Sequence, residues 1–186
     1  MEKLLLVGAG GFGRVVLEHA SSKYDCAFLD DGDLELIDGV PVIGKTCDMA
    51  AFHPEYKLLL VTIGNNKLRE RLYKEAADIG YSFPSIIHSS AYVSPHAHIG
   101  NGCVILNNAV IQNNAKCGDG CILNPGVELH HDSTIGSYCL IYTNSVVRSL
   151  TLVGNRVRIG STATVTTSAV VPDDRIIADG EIFKVG

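Results

Sequence analysis

The sequence contains no tryptophan, few aromatic side chains and few charged ones. Charged residues make up 19% of the 186 residues against 46% hydrophobic residues, a balance that is typical of a globular chain rather than a disordered one. The formal net charge of −5 shows no basic excess, so we expect no nucleic-acid partner. No stretch approaches the length of a membrane span, and MEKLLLVGAG is too short and too interrupted by glycine for a secretory signal. These absences predict a soluble cytoplasmic protein.

Residues 1–86 alternate strand and helix patterns, which predicts a small parallel sheet of β-α-β type. Short apolar strands are predicted at Leu4–Val7, Cys26–Asp30 and Lys57–Gly64. After the last of these, Asn65 is predicted to cap a helix that Gly80 ends. The apolar stripe of this helix consists of Leu68, Leu72, Ala76 and Ile79.

Residues 87–186 follow a different period, because every sixth residue from Ile87 to Ile177 is aliphatic except Cys117. A small side chain follows most of these positions four residues later. A strict hexapeptide period predicts a parallel β-helix, in which stacked coils bury one continuous apolar column. In the left-handed form three hexads make one coil, so residues that are three hexads apart stack on each other. The sequence therefore predicts two domains, an α/β domain of residues 1–86 and an all-β left-handed β-helix of residues 87–186.

The six cysteines include three that are spaced three hexads apart, Cys103, Cys121 and Cys139. This spacing favours an inward ladder of small side chains over a metal site, although the Cys117-x3-Cys121 pair leaves zinc as the alternative. Without a secretory signal, disulfides are also disfavoured. We expect no bound metal.

The stretch GAGGFG contains the pattern G-x-G-x-x-G as Gly8, Gly10 and Gly13, between a predicted strand and a predicted helix. Backbone amides at a helix start can bind a phosphate. Asp30 and Asp31 follow Gly10 by about 20 residues, which is where a ribose-binding acid is expected. A domain of about 85 residues suits one nucleotide better than a dinucleotide. A tight turn without any ligand is the alternative interpretation.

VGAGGFGRVV, a GNNKLRERL segment and the hexapeptide repeats together resemble the NeuD/PglD-like sugar acyltransferases over nearly the whole chain. The resemblance implies a homotrimer of left-handed β-helices that uses acetyl-CoA as co-substrate, without a metal. It also implies that the first domain binds a nucleotide-linked amino sugar, commonly a UDP sugar.

The family's catalytic base is a histidine followed by an acid, a few residues before an Ile-Gly pair. In ELHHDSTIG this pattern falls on His131 and Asp132, while His130 occupies a variable position. An accepting amine must lose a proton as it attacks a thioester, and an imidazole with an unperturbed pKa near ~6.5 can take it. Adjacent strand residues point to opposite faces, so a contact between His131 and Asp132 requires a corner geometry.

The resemblance assigns further residues to ligands, each with a structural alternative. The sugar-nucleotide residues are Gly10, Gly11, Phe12, Gly13, Asp30, Asp31, Gly64, Asn65, Asn66 and Asn124. The backbone that lines the CoA groove is expected at Ser149, Gly160 and Ser161. The sequence departs from the family in three places: Leu140 stands where a second histidine is expected, Gly160 is followed by Ser161-Thr162, and the C-terminal segment differs.

The resulting hypothesis is an acetyl-CoA-dependent N-acetyltransferase for a UDP-linked 4-amino sugar, with His131 as general base, in surface glycan biosynthesis. Two alternatives remain open: O-acetylation of sialic acid or another sugar hydroxyl, and a non-catalytic protein that binds nucleotide sugars. A nicotinamide oxidoreductase would leave the β-helix unexplained.

Overall fold

The computed structural model describes residues 1–184, so Val185 and Gly186, which end the predicted second domain, lie outside the described residues. The chain divides into two compact units, one of residues 1–86 and another that begins at Ile87. Among the described residues, no helix is long and apolar enough to span a membrane.

The first unit is a five-stranded sheet with helices, in the strand order β3-β4-β2-β1-β5. Its strands are β1 (Glu2–Val7), β2 (Tyr24–Leu29), β3 (Leu36–Ile37), β4 (Val40–Gly44) and β5 (Leu58–Val61). Its helices are α1 (Gly11–Ala20), α2 (Met49–Phe52) and α3 (Asn66–Ile79), with a 3-10 turn at Thr46–Asp48. β1 pairs in parallel with β2 on one side and with β5 on the other. The predicted β-α-β sheet is therefore present.

Helix α3 begins and ends where the sequence predicted. The Asn65 side chain accepts a hydrogen bond from the Leu68 N–H at 3.0 Å, which satisfies one of the unpaired donors of the first turn. Gly80 ends the helix with φ of 107°, a left-handed conformation in which glycine carries no steric penalty. Its N–H donates to the carbonyls of Ala76 and Ala77.

A hairpin of β3 and β4 at the sheet edge was not predicted. Both strands are short and exposed or half-buried, so they lack the apolar alternation that marks a strand in sequence. Asp38 and Gly39 connect them with φ of 47° and 84°. Asp-Gly pairs favour such left-handed hairpin turns, so this dipeptide was the available signal.

The second unit is a parallel β-helix whose two-residue strands form three sheets, and each strand pairs with the equivalent strands of the adjacent coils. The first sheet contains β6 (Ile86–Ile87), β9 (Val104–Ile105), β12 (Ile122–Leu123), β15 (Leu140–Ile141), β18 (Arg158–Ile159) and β21 (Ile176–Ile177). The second contains β7 (Tyr92–Val93), β10 (Val110–Ile111), β13 (Glu128–Leu129), β16 (Val146–Val147), β19 (Thr164–Val165) and β22 (Ile182–Phe183). The third contains β8 (His98–Ile99), β11 (Lys116–Cys117), β14 (Thr134–Ile135), β17 (Leu152–Val153) and β20 (Val170–Val171).

The hexad positions build the core of the β-helix. From Ile105 to Ile177 every one of them is buried. Ile87, Val93 and Ile99, which belong to the first coil, are less buried. The chain turns at corners that place one residue per hexad at φ of 55–62° over most of the helix, mainly asparagine, aspartate and other polar residues. Asparagine and aspartate tolerate this left-handed conformation better than most residues.

The three cysteines spaced one coil apart form the predicted inward ladder. Cys103, Cys121 and Cys139 are fully buried, and each thiol donates to a backbone carbonyl of the next coil, at 3.1–3.2 Å. Burial raises the pKa of the Cys121 thiol well above its ordinary value, which keeps it protonated and unreactive. The described residues contain no group of three or more side chains that could hold a metal ion.

Candidate active site

A cleft of about 410 Å³ lies in the α/β unit, at the ends of β1, β2 and β5 where ligands of parallel sheets bind. Six predicted sugar-nucleotide residues line it, whereas Gly13, Asn65 and Asn66 do not. Thr46, Thr62 and Ile63 also line the cleft and were not predicted. The six predicted lining residues are Gly10, Gly11, Phe12, Asp30, Asp31 and Gly64.

The glycines of GAGGFG serve two different purposes. A β-carbon on Gly13 would lie 2.2 Å from the Gly8 carbonyl oxygen, so Gly13 lets α1 approach the end of β1. Gly8 has φ of 109°, and the Thr62 hydroxyl fixes its carbonyl at 2.6 Å. A β-carbon on Gly10 or Gly11 would meet nothing within 4 Å. These two glycines therefore keep the start of α1 open to a ligand.

The acids after β2 are already occupied by hydrogen bonds within the loops. The Asp30 carboxylate accepts from the N–H groups of Ala9 and Gly32 at 2.7 and 2.8 Å. Asp31 accepts from the backbone and hydroxyl of Thr46, and these bonds hold the pKa of its carboxyl below its usual value. Both carboxylates lie on the wall of the cleft, while they also shape its loops.

Arg69, which the sequence did not single out, fixes the loop after β5. Its side chain is fully buried, and its guanidinium donates to the carbonyls of Ile63 and Gly64 at 2.9 and 3.3 Å. A third bond goes to the Asn66 side chain at 2.9 Å. A buried charge is stable only when it is hydrogen-bonded in this way. The Gly64 backbone is thereby held at the cleft edge.

Two substitutions of Asn65 distinguish its role in helix capping from a role in ligand binding. Asn65→Ala removes the cap acceptor and is expected to lower the free energy of unfolding by about 1 kcal/mol. Asn65→Asp keeps a capping oxygen and should retain stability, because aspartate is an equally good N-cap. Thermal unfolding and nucleotide-sugar titration of both variants would measure the two effects. Normal stability with lost affinity in Asn65→Asp would give Asn65 a direct ligand contact.

The second candidate site lies at the β-helix corner that follows β13. The His131 Nδ1 lies 2.8 Å from the Asp132 Oδ2, so these adjacent side chains do make contact. Asp132 has φ of 60°, which turns its side chain out of the strand alternation and toward the preceding residue. The structure therefore has the corner geometry that a contact between His131 and Asp132 requires.

The preceding coil supports this pair through residues that stack beneath it. The Asn114 amide donates to Asp132 Oδ1 at 3.2 Å, and the Gln112 side chain accepts from the His131 N–H at 3.0 Å. Hydrogen bonds from His131 and Asn114 hold the pKa of the Asp132 carboxyl below its ordinary value. An ionised carboxylate only accepts, so the His131 Nδ1 carries a hydrogen, and in the neutral imidazole Nε2 then presents a lone pair.

The Ser149 hydroxyl lies beside the Nε2 of His131. Its Oγ lies 2.9 Å from the His131 Nε2. Ser149 was predicted only to line the CoA groove, although the period of the coils puts it directly after His131 in the stack. This period was the signal that could have linked the two residues.

The other histidines of the β-helix have different surroundings. His130 points toward Glu128, with its Nε2 3.2 Å from the carboxylate Oε2. His88, His96 and His98 lie in the first coil, where the His88 Nδ1 contacts the Ser90 hydroxyl and His96 occupies the same corner two coils before Asp132. In His131, by contrast, one ring nitrogen contacts a carboxylate and the other a hydroxyl.

The remaining predicted site residues lie at a different corner of the same helix. Asn124 follows β12, and Gly160 and Ser161 follow β18, so all three stack along the corner between the first and second sheets. The Asn124 amide donates to the Ile141 carbonyl at 3.0 Å, which is its structural alternative. A single chain brings together His131, Asp132 and Ser149, but not Asn124, Gly160 or Ser161.

Two protein-family models match different parts of the chain. Residues 3–76 match the PglD N-terminal domain, and residues 82–182 match the GMPPB C-terminal domain. A UDP-N-acetylbacillosamine N-acetyltransferase of Bacillus subtilis (strain 168) is 33% identical over 115 residues, which are 57% of this chain. The matched part spans 52%, about half, of that relative's length.

Solved structures match the chain over nearly its whole length. The acetyltransferase domain of PglB from Neisseria gonorrhoeae FA1090, in complex with acetyl coenzyme A, is 33% identical with a TM-score of 0.93, covering 99% of this chain and 92% of that one. PerB from Caulobacter crescentus, in complex with CoA and GDP-perosamine, is 28% identical with a TM-score of 0.92, covering 100% and 92%. The predicted fold class, an α/β unit followed by a left-handed parallel β-helix, is thereby confirmed.

Proposed function

The chain belongs to the NeuD/PglD-like family of sugar acyltransferases, and we propose that it transfers an acetyl group from acetyl-CoA to the amine of a nucleotide-linked amino sugar. The observation that carries the proposal is the His131 ring, whose Nδ1 is held by Asp132 and whose Nε2 presents a lone pair. The similarity to enzymes described as N-acetyltransferases, and to structures with CoA and GDP-perosamine, supports the donor and the acceptor class.

In the proposed reaction His131 is the general base. The neutral amine attacks the thioester carbonyl, and the His131 Nε2 takes the proton that the nitrogen loses. Asp132 holds the ring orientation and stabilises the imidazolium that forms. The proton then reaches the departing CoA sulfur, so the products are an amide and CoA.

The cleft of the α/β unit is proposed to bind the nucleotide part of the acceptor. Gly10 is the N-cap of α1, and its first turn begins with Gly11, Phe12 and Gly13, where backbone N–H groups favour a phosphate. Asp30 and Asp31 supply acceptors for a ribose, next to Gly64. Asn65 and Asn66 remain proposed contacts through the loop that Arg69 holds. We propose that the nucleotide is UDP, and the experiment below compares it with GDP.

A homotrimer is part of the proposal, because one chain separates the two corners of the β-helix. Grooves between copies would place the His131 corner of one copy beside the Asn124 and Gly160 corner of the next. Asn124 would then contact the sugar, and Ser149, Gly160 and Ser161 would line the path of acetyl-CoA. We place this activity in the cytoplasm, in surface glycan assembly.

The test is product mass spectrometry after incubation with acetyl-CoA and matched UDP- and GDP-linked 4-amino sugars. A 4-hydroxy analogue of each sugar and a sialic acid serve as hydroxyl acceptors. We expect one acetyl group on an amino sugar and none on its hydroxyl analogue. Acetylation of a hydroxyl acceptor alone would reassign the enzyme to O-acetylation. Binding without any product would make it a non-catalytic sugar-nucleotide protein.

Asp132→Asn is expected to lower kcat on the order of a hundredfold, because an amide can hold the wrong imidazole tautomer. The pKa of Asp132 lies below its usual range, so its carboxylate persists above about pH 4 and is lost only as the pH falls through that lowered pKa. The loss of rate is therefore expected at about pH 8, where the Asp132 carboxylate is fully ionised and imidazoles are neutral.

The matched control is Asp174→Asn, the same change at a corner residue with φ of 59° whose carboxylate pairs with Arg156 instead of a histidine. It should retain full activity. A wild-type rate for Asp132→Asn at about pH 8 would contradict the role proposed for the carboxylate.

A further inference from the structure

Ser149, His131 and Asp132 form one continuous hydrogen-bonded series at a single corner. The Ser149 Oγ lies 2.9 Å from the His131 Nε2, and the His131 Nδ1 lies 2.8 Å from Asp132 Oδ2. In the neutral imidazole with its hydrogen on Nδ1, the serine hydroxyl donates to Nε2. A hydroxyl that donates to an imidazole held by a carboxylate is how serine nucleophiles are activated on unrelated folds.

The backbone N–H of Leu150, beside Ser149, also differs from that of the left-handed residue at most corners. At most corners the N–H of the left-handed residue donates to a carbonyl of the preceding coil, as Asp132 does to Asn113 and Ser168 does to Ser149, both at 3.1 Å. Within residues 1–184, the N–H of Leu150 donates to no acceptor, and neither does the N–H of Ser149. Two such donors beside a nucleophile are what a developing oxyanion requires.

We propose that Ser149 is a nucleophile that accepts the acetyl group of a thioester, so that the protein hydrolyses acetyl-CoA slowly when no amine acceptor is bound. The identity of the donor rests on the proposed function. The nucleophile itself rests on the corner geometry, and it adds an acyl-enzyme to the direct transfer described above.

The steps balance without any further reactant than water. The Ser149 Oγ attacks the thioester carbonyl carbon, and its proton passes to the His131 Nε2. The carbon–sulfur bond breaks, CoA leaves with that proton, and an acetyl ester remains on Ser149. Water then attacks the ester, His131 takes a proton from the water, and acetate leaves as the serine hydroxyl is restored.

The sequence supplies a clean reporter for the ester. Trypsin cuts after Arg148 and Arg156, which releases the peptide Ser149–Arg156, and this peptide contains no cysteine. The protein is incubated with acetyl-CoA, or with p-nitrophenyl acetate as a donor that needs no CoA binding, and is then quenched in acid. We expect the mass of one acetyl group on this peptide at Ser149. CoA and acetate release without acceptor should fall at least about tenfold in Ser149→Ala and His131→Ala.

The matched control is Ser168→Ala, the same change at an exposed corner of the next coil. The Ser168→Ala variant should still give the acetylated peptide and should hydrolyse acetyl-CoA at the wild-type rate. An unmodified peptide with both donors, together with hydrolysis that Ser149→Ala leaves intact, would overturn the proposal. If amino sugars are nevertheless acetylated, the proposed function stands alone. Modification by p-nitrophenyl acetate but not by acetyl-CoA would support the nucleophile and contradict the donor.

Discussion

His131→Ala is expected to lower kcat/KM for acetyl transfer by about 10²–10⁴-fold while the protein stays folded. The imidazole is the group at this corner that can take the amine's proton near neutral pH, and general base catalysis contributes a factor of that size. The side chain is 57% exposed, so its removal leaves no buried cavity. Product mass spectrometry of wild type and mutant under identical conditions measures the loss.

His130→Ala is the matched control for this experiment. His130 is the adjacent histidine, and it contacts the Glu128 carboxylate rather than Asp132 or Ser149. It should retain the wild-type rate. Full activity of His131→Ala together with a large loss in His130→Ala would show that His130 is the general base and would refute that role for His131.

Gly13→Ala is expected to destabilise the α/β unit by about 3 kcal/mol or more, because overpacking of this kind forces the backbone to move. The added methyl would lie 2.2 Å from the Gly8 carbonyl oxygen. That carbonyl cannot retreat easily, since the buried Thr62 hydroxyl donates to it at 2.6 Å. Hydrogen exchange of β1 and α1 amides and thermal unfolding measure the effect.

Gly10→Ala tests the same motif for ligand binding alone. No atom lies within 4 Å of a β-carbon at Gly10, and its φ of −71° suits alanine. This variant should fold like the wild type and lose affinity for the nucleotide sugar, because the methyl enters the cleft. Normal stability of Gly13→Ala would contradict the packing role of Gly13. Unchanged affinity of Gly10→Ala for the nucleotide sugar would contradict phosphate binding at the start of α1.

The regular parts of the fold were predictable because their signals are local or periodic. Helix α3 could be bounded from Asn65 and Gly80, since both caps act within their own turn. The β-helix followed from the hexads, because one aliphatic side chain per strand is enough to specify its inward face. The β3–β4 hairpin was not predicted, because its short strands, exposed or half-buried, lack a long apolar run.

The candidate site was predictable in its residue types but not in its contacts. Sequence spacing marked Asp30 and Asp31 as acceptors near the glycine-rich loop, but it could not show that Asp30 binds the Ala9 N–H. It could not assign a role to Arg69 either, since a charged residue on a helix is usually solvated. These bonds depend on loops that approach each other only in the folded unit.

The sequence by itself determined the period of the β-helix, and with it that His131 and Ser149 stack one coil apart. Only the tertiary structure decided that their side chains meet, that Asp132 turns toward His131, and that Asn124 lies at another corner. The reason is physical: a repeat fixes which residues are neighbours, because burying one apolar face selects one register. The direction of a corner side chain depends instead on a left-handed backbone angle and on hydrogen bonds from adjacent coils, which exist only once the coils are stacked.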